Sequence, residues 1–247
     1  MKKRIFSFIF YAIAGLFLML YLIADRSATL HLSEFGRLFL LCGSCLFLYF
    51  GGLLLSKYKN NTKPMKINLW IFFGLYLVLL ITLTLFDSMW GRNVGNLINT
   101  NIDYKQYFEN TVNLIPFKTI IGYVTEFDSM YSTSSILFNL LGNLVALMPM
   151  AFFLPLLFKK QNKFKYFALT TTGIILLIEF LQLITSSGRF DIDDVILNLS
   201  GALILYGIIK IKSVNNLIRN IFLLEKNKIS KQSYIKIFSF LFIVILA

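Results

Sequence analysis

The sequence predicts an all-α fold: a polytopic bundle of about six transmembrane helices with both termini in the cytoplasm. Hydrophobic residues make up 57% of the 247 residues and charged residues only 15%, a composition that excludes an ordinary soluble domain. The apolar runs are long enough to cross a bilayer as helices and do not alternate as barrel strands do. The predicted location is the cell membrane, as a multi-pass protein.

The apolar runs define the elements in chain order. The predicted spans are Ile5–Ala24, Phe35–Leu55, Leu69–Phe86, Ile136–Phe158, Phe167–Thr185 and Val195–Ile209. Because the first span is longer than a signal-peptide core and no small-residue cleavage site follows it, we expect an uncleaved anchor. A last run, Ile237–Ala247, reaches only about half of a roughly 30 Å hydrocarbon core, so we expect it to be interfacial or re-entrant.

The distribution of positive charge orients the chain. The net charge of +12 would indicate a nucleic-acid partner in a soluble protein, but 18 of the 24 Lys and Arg residues lie on alternate loops. The positive-inside rule places those loops and both termini in the cytoplasm, and we expect no nucleic-acid partner. The bilayer itself is the expected partner, and the basic and apolar segment from Val214 to Gln232 is predicted to lie on its inner surface.

Two segments are therefore predicted to lie outside the cell, the long connection Asp87–Ser135 and the hairpin Ser186–Asp194. The connection is rich in aromatic residues, which settle at the level of the lipid headgroups. We interpret it as a cap on the outer leaflet, with Pro116 fixing a turn. His31, the one histidine, lies in the other predicted outer loop, where it is a weak candidate for a catalytic base.

Three spans each carry one stripe of polar or small residues at helical spacing, which places those residues on one face of each helix. The stripes are Ser135, Asn139, Gly142, Asn143 and Ala146; Thr172, Glu179, Gln182 and Ser186; and Asp191, Asp194, Asn198 and Gly201. At about 1.5 Å per residue, four of these residues lie roughly 6–12 Å below the outer surface: Asn139, Asn143, Glu179 and Asn198. Polar groups at a common depth predict one polar pocket, since amides need partners away from lipid.

Structural roles explain part of this pattern. Asn139, Asn143 and Asn198 are equally well interpreted as interhelical contacts. Asp191, Asp193 and Asp194 precede or open the sixth helix, where one of them is expected to be an N-terminal cap and Arg189 an ion-pair partner. Three carboxylates exceed what a cap requires. Glu179 is the hardest to explain structurally, because an ionisable group at membrane depth costs about 2.5–3.5 kcal/mol.

Other features carry less information. Cys42 and Cys45 form a C-x-x-C inside an apolar span with no second pair, which favours packing over metal or redox chemistry. Pro149 and Pro155 interrupt the fourth span, so we expect a kink there, with a carbonyl-lined site as the alternative.

The chemistry of the pocket stays open at this point. Carboxylates without histidine or cysteine suit a hard cation such as Mg²⁺ or Ca²⁺, although no particular metal is indicated. They also suit an amine or a sugar hydroxyl. A buried Glu beside Asp is the usual arrangement of paired acid and base groups, which makes Glu179, Asp193 and Asp194 the candidate catalytic residues.

Four motifs together resemble the VanZ-like membrane proteins. They are Asn113-x-x-Pro116-Phe117, Asn139-x-x-Gly142-Asn143 followed by Pro149 and Pro155, Glu179-x-x-Gln182, and Asp191-x-Asp193-Asp194-x-x-x-Asn198-x-x-Gly201. Leu147 and Ala151 depart from the Phe and Gly usual in that family. The resemblance implies a VanZ-like domain at 66–212, an accessory helix pair at 1–65 and a tail at 213–247.

The resemblance also implies a location in a bacterial plasma membrane and a function in the cell envelope. The family takes its name from a protein associated with resistance to the glycopeptide teicoplanin. We hypothesise a non-enzymatic protein that binds a lipid-linked envelope precursor or a glycopeptide-like ligand. The expected ligand-binding residues are Asn113, Pro116, Phe117, Asn139, Asn143, Gln182, Arg189, Asp191 and Asn198. The alternatives are a membrane-embedded hydrolase or transferase acting on a lipid or polyprenyl-linked substrate and, less favoured, a small transporter, since no polar path continues inward.

Overall fold

The chain forms a helical membrane protein, seen here in a computed structural model that describes residues 2–26, 34–86, 104–125, 133–185 and 187–224. Within these ranges six helices are long and apolar enough to cross a membrane. They are Lys2–Ala24, Phe39–Lys59, Lys63–Phe86, Asn139–Leu157, Phe164–Ile184 and Ile192–Lys210. The predicted all-α bundle of about six spans is therefore confirmed.

The elements follow in chain order. The helices are α1 (Lys2–Arg26), α2 (Glu34–Lys59), α3 (Lys63–Ile81), α4 (Tyr104–Thr111), α5 (Lys118–Thr125), α6 (Thr133–Ala146), α7 (Met148–Leu157), α8 (Phe164–Ile184), α9 (Ile192–Lys210) and α10 (Lys212–Ile221). A π-helical turn, Thr82–Phe86, continues α3, and a 3₁₀ turn, Lys159–Asn162, precedes α8. Two short strands, β1 (Val112–Asn113) and β2 (Phe190–Asp191), pair in parallel.

The chain divides into two compact units. One consists of Met1–Phe72 with Lys212–Ala247, and the other of Phe73–Ile211. His31 and the terminal run Ile237–Ala247 lie outside the described residues, as do residues 87–103 and 126–132 of the predicted outer connection.

In the first unit, α1 and α2 pack closely through aromatic rings and buried hydroxyl groups. The Ser7 hydroxyl donates to the carbonyl of Gly51 at 2.7 Å, and the Tyr49 hydroxyl donates to the carbonyl of Ile221 in α10 at 3.0 Å. Asn68 of α3 is buried and donates to the carbonyl of Leu48. These bonds give polar groups inside apolar helices the partners that lipid cannot supply. Cys42 and Cys45 are free thiols in α2.

The second unit is built around α9, which packs against α6, α7 and α8. Gly201 of α9 lies directly against the backbone of α6, so close that a Cβ atom at this position would overlap the carbonyl oxygen of Leu144. Small residues permit this close approach of helix backbones in membranes. Near the other end of α9, the ring of Tyr206 stacks on that of Phe167, with centroids 4.3 Å apart.

The fourth span is broken into α6 and α7 at Leu147. Pro149 lies in the first turn of α7 and has no backbone N–H, so the ladder of α6 cannot continue through it. The N–H of Met150 bonds the carbonyl of Leu147 at 3.1 Å, which leaves the carbonyl of Ala146 without its usual helical donor. The hydroxyl of Tyr76 replaces that donor at 2.8 Å. The predicted kink is thus a helix break with a re-paired carbonyl.

Candidate functional site

The segment from α4 to α5 is held against the start of α9 by backbone pairing. β1 pairs with β2 in the register Val112 with Phe190 and Asn113 with Asp191. The hydroxyl of Tyr107 in α4 also donates to the carbonyl of Gly188 at 3.2 Å. The pairing brings two segments far apart in sequence to one end of the unit, and it places Asn113 beside the carboxylates that open α9.

Asp193 is completely buried, and its carboxylate accepts three backbone N–H groups from the start of α5. Oδ2 accepts from Thr119 at 2.8 Å and from Ile120 at 3.1 Å, and Oδ1 accepts from Phe117. The carboxylate therefore caps α5 while it also lies in the first turn of α9. The N-termini of α5 and α9 therefore stabilise the negative charge of the buried carboxylate. None of these contacts comes from a cation.

Asp191 is the N-terminal cap of α9, because its Oδ1 accepts the N–H of Asp193 at 2.9 Å. The same oxygen accepts from the side-chain amide of Asn113 at 3.0 Å, and Oδ2 accepts from the hydroxyl of Thr119. The prediction that one of the three Asp residues is a cap is confirmed at Asp191. Asn113 further accepts the N–H of Ile115 at 3.2 Å, so its side chain shapes the turn that follows β1.

Phe117 has a left-handed backbone conformation, with φ of 65°, that non-glycine residues rarely adopt. This conformation lets its N–H reach Asp193 and starts α5 at the next residue. Its side chain is exposed. The strained backbone of Phe117 is thus maintained by the contact between the turn and α9.

Glu179 connects this cluster to the interior of the unit. It lies in α8, is only 3% exposed, and its Oε2 accepts the backbone N–H of Asp191 at 3.2 Å. Burial of a carboxylate this deep requires hydrogen-bond partners, and the N–H of β2 supplies one of them. Glu179 consequently contacts the N-terminal cap of α9 on one side and faces a cavity on the other.

The cavity has a volume of about 30 Å³ and lies between α3, α6, α8 and α9. Its polar lining consists of Glu179, Asp194, Asn143, Gln182, Asn198 and Thr84, and its apolar lining of Leu80, Ala146, Leu147, Ile175 and Ile178. Two carboxylates and three side-chain amides from three helices thus surround one small space. No basic residue belongs to this lining among the residues that the structure describes.

Hydrogen bonds around the cavity fix its polar groups. The side-chain amide of Asn143 donates to Oδ1 of Asp194, and that of Asn198 donates to the backbone carbonyl of Asp194 at 2.9 Å. The side-chain amide of Gln182 donates to the carbonyl of Thr84 in the π-helical turn at 2.9 Å. The helix break at Leu147 also borders the cavity. Irregular backbone therefore occurs where it lines a polar space, as expected at membrane depth.

The structure brings most of the predicted site residues together, in two connected groups. Glu179, Asn143, Gln182, Asp194 and Asn198 line the cavity. Asn113, Asp191 and Asp193 form the cluster beside it, in which Phe117 takes part through its backbone. The remaining residues belong to neither group: Asn139 is half-buried but does not line the cavity, and the side chains of Pro116 and Arg189 are exposed.

The chemical capacity of the site follows from its volume and its donors. A space of about 30 Å³ holds a water molecule or a group of similar size, such as an ammonium, a hydroxyl or a single cation. Among the described residues, no group of three or more His, Cys, Asp or Glu side chains is arranged to hold a metal ion. Any cation here would depend on amide oxygens or carbonyls besides Glu179 and Asp194.

Four residues of the site were not predicted from the sequence. Thr119 bonds both Asn113 and Asp191, Tyr76 re-pairs the broken helix, Thr84 lines the cavity, and Tyr107 holds the hairpin. Thr119 follows closely on the Asn-x-x-Pro-Phe motif, at the start of an amphipathic run. Its hydroxyl at that place is the one local feature of the sequence that could have indicated a site residue. The other three act through backbone carbonyls, which leave no mark in a sequence.

Comparison with known proteins gives one match. A family model described as VanZ/LLP1 matches residues 73–213, more than half of the chain. The matched range coincides closely with the unit Phe73–Ile211 and takes in every residue that lines the cavity. Neither the curated proteins nor the solved structures give a match.

Proposed function

The chain belongs to the VanZ/LLP1 family, and we propose that its cavity binds a polar group of a lipid-linked or cell-surface ligand in the envelope. The observation that carries this proposal is the convergence of Glu179 and Asp194 with three side-chain amides on one space inside the membrane-spanning unit. Ionisable groups at membrane depth are costly to bury and usually mark a functional site.

The size and charge of the cavity narrow the class of ligand group. A volume of about 30 Å³ accommodates a group of about one or two water molecules in size, so the rest of a larger ligand lies outside the cavity. Two carboxylates without a basic residue in the described lining favour an ammonium, a hydroxyl or a small cation over an anion. A lipid headgroup with an amine or hydroxyl fits this description, and a divalent cation is the inorganic alternative.

The direction of the site is also part of the proposal. The cavity lies near the end of α8 and the start of α9, whereas the lysines Lys159, Lys160, Lys163 and Lys165 lie at the opposite end of α8. Basic loops face the cytoplasm in most membrane proteins. The cavity then faces the extracytoplasmic side, where an envelope ligand would reach it, and glycopeptide susceptibility is the phenotype that such binding would alter.

Complementation of a deletion strain tests the proposal. The strain would carry wild type, Glu179→Gln, Asp194→Asn or the control Glu109→Gln, which removes the same charge from an exposed position on α4. We expect the wild type and Glu109→Gln to restore teicoplanin susceptibility to the parental level. Glu179→Gln and Asp194→Asn should fail although the protein is present in the membrane. Full restoration by both cavity variants would refute the binding role.

A second function is supported by the same cavity, because two carboxylates around a water-sized space resemble an acid–base pair. In a membrane-embedded hydrolase or transferase, Glu179 and Asp194 would carry out the proton transfers. Both oxygens of Asp193 already accept backbone N–H groups, so this mechanism does not use Asp193. Its catalytic role stays a prediction. A lipid that accumulates equally in the deletion and Glu179→Gln strains would favour the enzyme over the binding protein.

A further inference from the structure

We propose that residues 114–121, here called the apolar turn, insert into the hydrocarbon edge of the lipid bilayer beside the start of α9. The turn joins β1 to α5 and includes the first half of α5. This inference concerns a lipid-contacting surface, and it does not depend on which ligand enters the cavity.

The apolar turn exposes large hydrophobic side chains in succession. Leu114 is 64% exposed, Ile115 60%, Phe117 52% and Ile121 56%. Comparable exposure occurs on the spanning helices, for example 56% at Leu177 of α8, where lipid is the expected neighbour of such a residue. Four exposed apolar residues within eight positions form a patch that water would disfavour.

The backbone donors of the turn are paired from Ile115 onwards. From Ile115 to Ile121 every N–H group has a partner inside the protein, apart from Pro116, which has no N–H group. Ile115 donates to the side chain of Asn113, Lys118 to the carbonyl of Ile115, and Ile121 to the carbonyl of Phe117. Phe117, Thr119 and Ile120 donate to Asp193.

Irregular chain enters lipid only where its backbone polar groups have partners, and paired N–H groups meet the donor part of that requirement. An unpaired N–H group in hydrocarbon costs several kcal/mol, which normally keeps turns out of the bilayer. Here the buried carboxylate of Asp193 removes that cost at Phe117, Thr119 and Ile120. Paired backbone donors and outward apolar side chains together point to lipid. A turn exposed to water can bond its N–H groups to water and has no reason to present apolar side chains.

The position of the turn along the membrane normal agrees with this interpretation. Thr119 and Ile120 bond Asp193, which is the second residue of the spanning helix Ile192–Lys210. The turn therefore lies level with the first turn of that helix, at the boundary between headgroups and hydrocarbon. Lys118, the one charged residue of the turn, is exposed and long enough to extend its ammonium group to lipid phosphates.

Collision measurements on a spin label would test the insertion. The full-length protein, with Cys42 and Cys45 replaced by Ser, would carry a nitroxide at Ile115→Cys in vesicles of phosphatidylcholine and phosphatidylglycerol. The controls are Leu177→Cys on a spanning helix and Glu109→Cys on exposed α4. We expect the label at 115, like the label at 177, to collide more often with dissolved oxygen than with a water-soluble nickel chelate. The label at 109 should show the opposite preference.

Two results would overturn the proposal. Collision with the nickel chelate at the level of position 109 would place the turn in water. Protection from both oxygen and nickel would mean that protein, such as a second copy or a partner, covers it. A label at Leu114→Cys gives an independent reading, so failure of one variant to fold leaves the comparison intact.

Discussion

The backbone N–H of Thr119 lies 2.8 Å from Oδ2 of Asp193, a residue 74 positions later in the chain. Together with the bonds from Phe117 and Ile120, this contact attaches the turn between β1 and α5 to the first turn of α9. The next residue, Asp194, lines the cavity. The position of the turn therefore depends on one carboxylate, and the residue that carries it is adjacent in sequence to one that lines the cavity.

Substitution of Asp193 by Asn should destabilise the protein strongly. Asn keeps one acceptor oxygen and places an NH₂ group against backbone donors, so buried N–H groups lose their partner. We expect a loss of about 2–5 kcal/mol in the free energy of unfolding, as for other broken buried charge-assisted contacts. The measurement is thermal unfolding of the purified protein in detergent. The control Glu109→Gln removes the same charge from an exposed position and should leave the melting temperature unchanged; equal melting temperatures would contradict the prediction.

Replacement of Phe117 by Gly should give a more stable protein than replacement by Ala. Both variants lose the ring, but only Ala retains the cost of a left-handed conformation at φ 65°. The expected difference in unfolding free energy is about 1 kcal/mol in favour of Gly. Denaturant unfolding of the two variants in the same detergent measures it, and a more stable Ala variant would show that the backbone is not strained at this residue.

Ala at Gly201 should separate α9 from α6. The added methyl group would overlap the carbonyl oxygen of Leu144, and backbone cannot move aside as a flexible side chain can. We expect a loss of about 1–3 kcal/mol, the usual range for overpacking. Gly207 of the same helix is the matched control, because a Cβ atom there meets nothing within 4 Å. Gly207→Ala should be neutral or stabilising through helix propensity, and equal effects at both positions would refute close packing at Gly201.

Removal of the Tyr76 hydroxyl should weaken the junction between α6 and α7. Phe at this position leaves the carbonyl of Ala146 without the donor that replaced its helical partner. The expected cost is about 1 kcal/mol, the net value of a typical hydrogen bond. Tyr166→Phe removes a hydroxyl from an exposed side chain and serves as the control in the same thermal assay. An unchanged melting temperature in Tyr76→Phe would mean that the carbonyl finds another donor.

The spans could be predicted because hydropathy is a local property of the chain. The predicted third span began at Leu69, whereas α3 begins at Lys63, since an apolar run marks the hydrocarbon core and the helix continues past it into the basic segment. The break near Pro149 followed equally from local chemistry, because proline cannot donate to the helical ladder. The prediction that one of the three Asp residues at the start of α9 is a cap had the same origin, but only the structure identifies it as Asp191.

The cavity could be predicted in part. Helical periodicity placed Glu179, Asn143 and Asn198 on facing stripes, and all three line it, but Asn139, one turn from Asn143, does not. A stripe fixes the face of a helix and leaves the depth of contact to tertiary packing. The partners of Asp193 were beyond prediction for a different reason. They are backbone N–H groups 73 to 76 positions away, and backbone groups carry no sequence signature.

The distance in sequence between the turn and Asp193 has a consequence for biosynthesis. The ribosome completes residues 117–120 well before it makes Asp193, so their N–H groups lack that acceptor while the intervening helices leave the translocon. We therefore expect the turn to stay hydrated during synthesis and to reach its final depth only after α9 has been inserted. In a nascent chain arrested before Ile192, the cysteine of an Ile115→Cys variant should react with a water-soluble maleimide. After synthesis and release of the full chain, the same cysteine should no longer react.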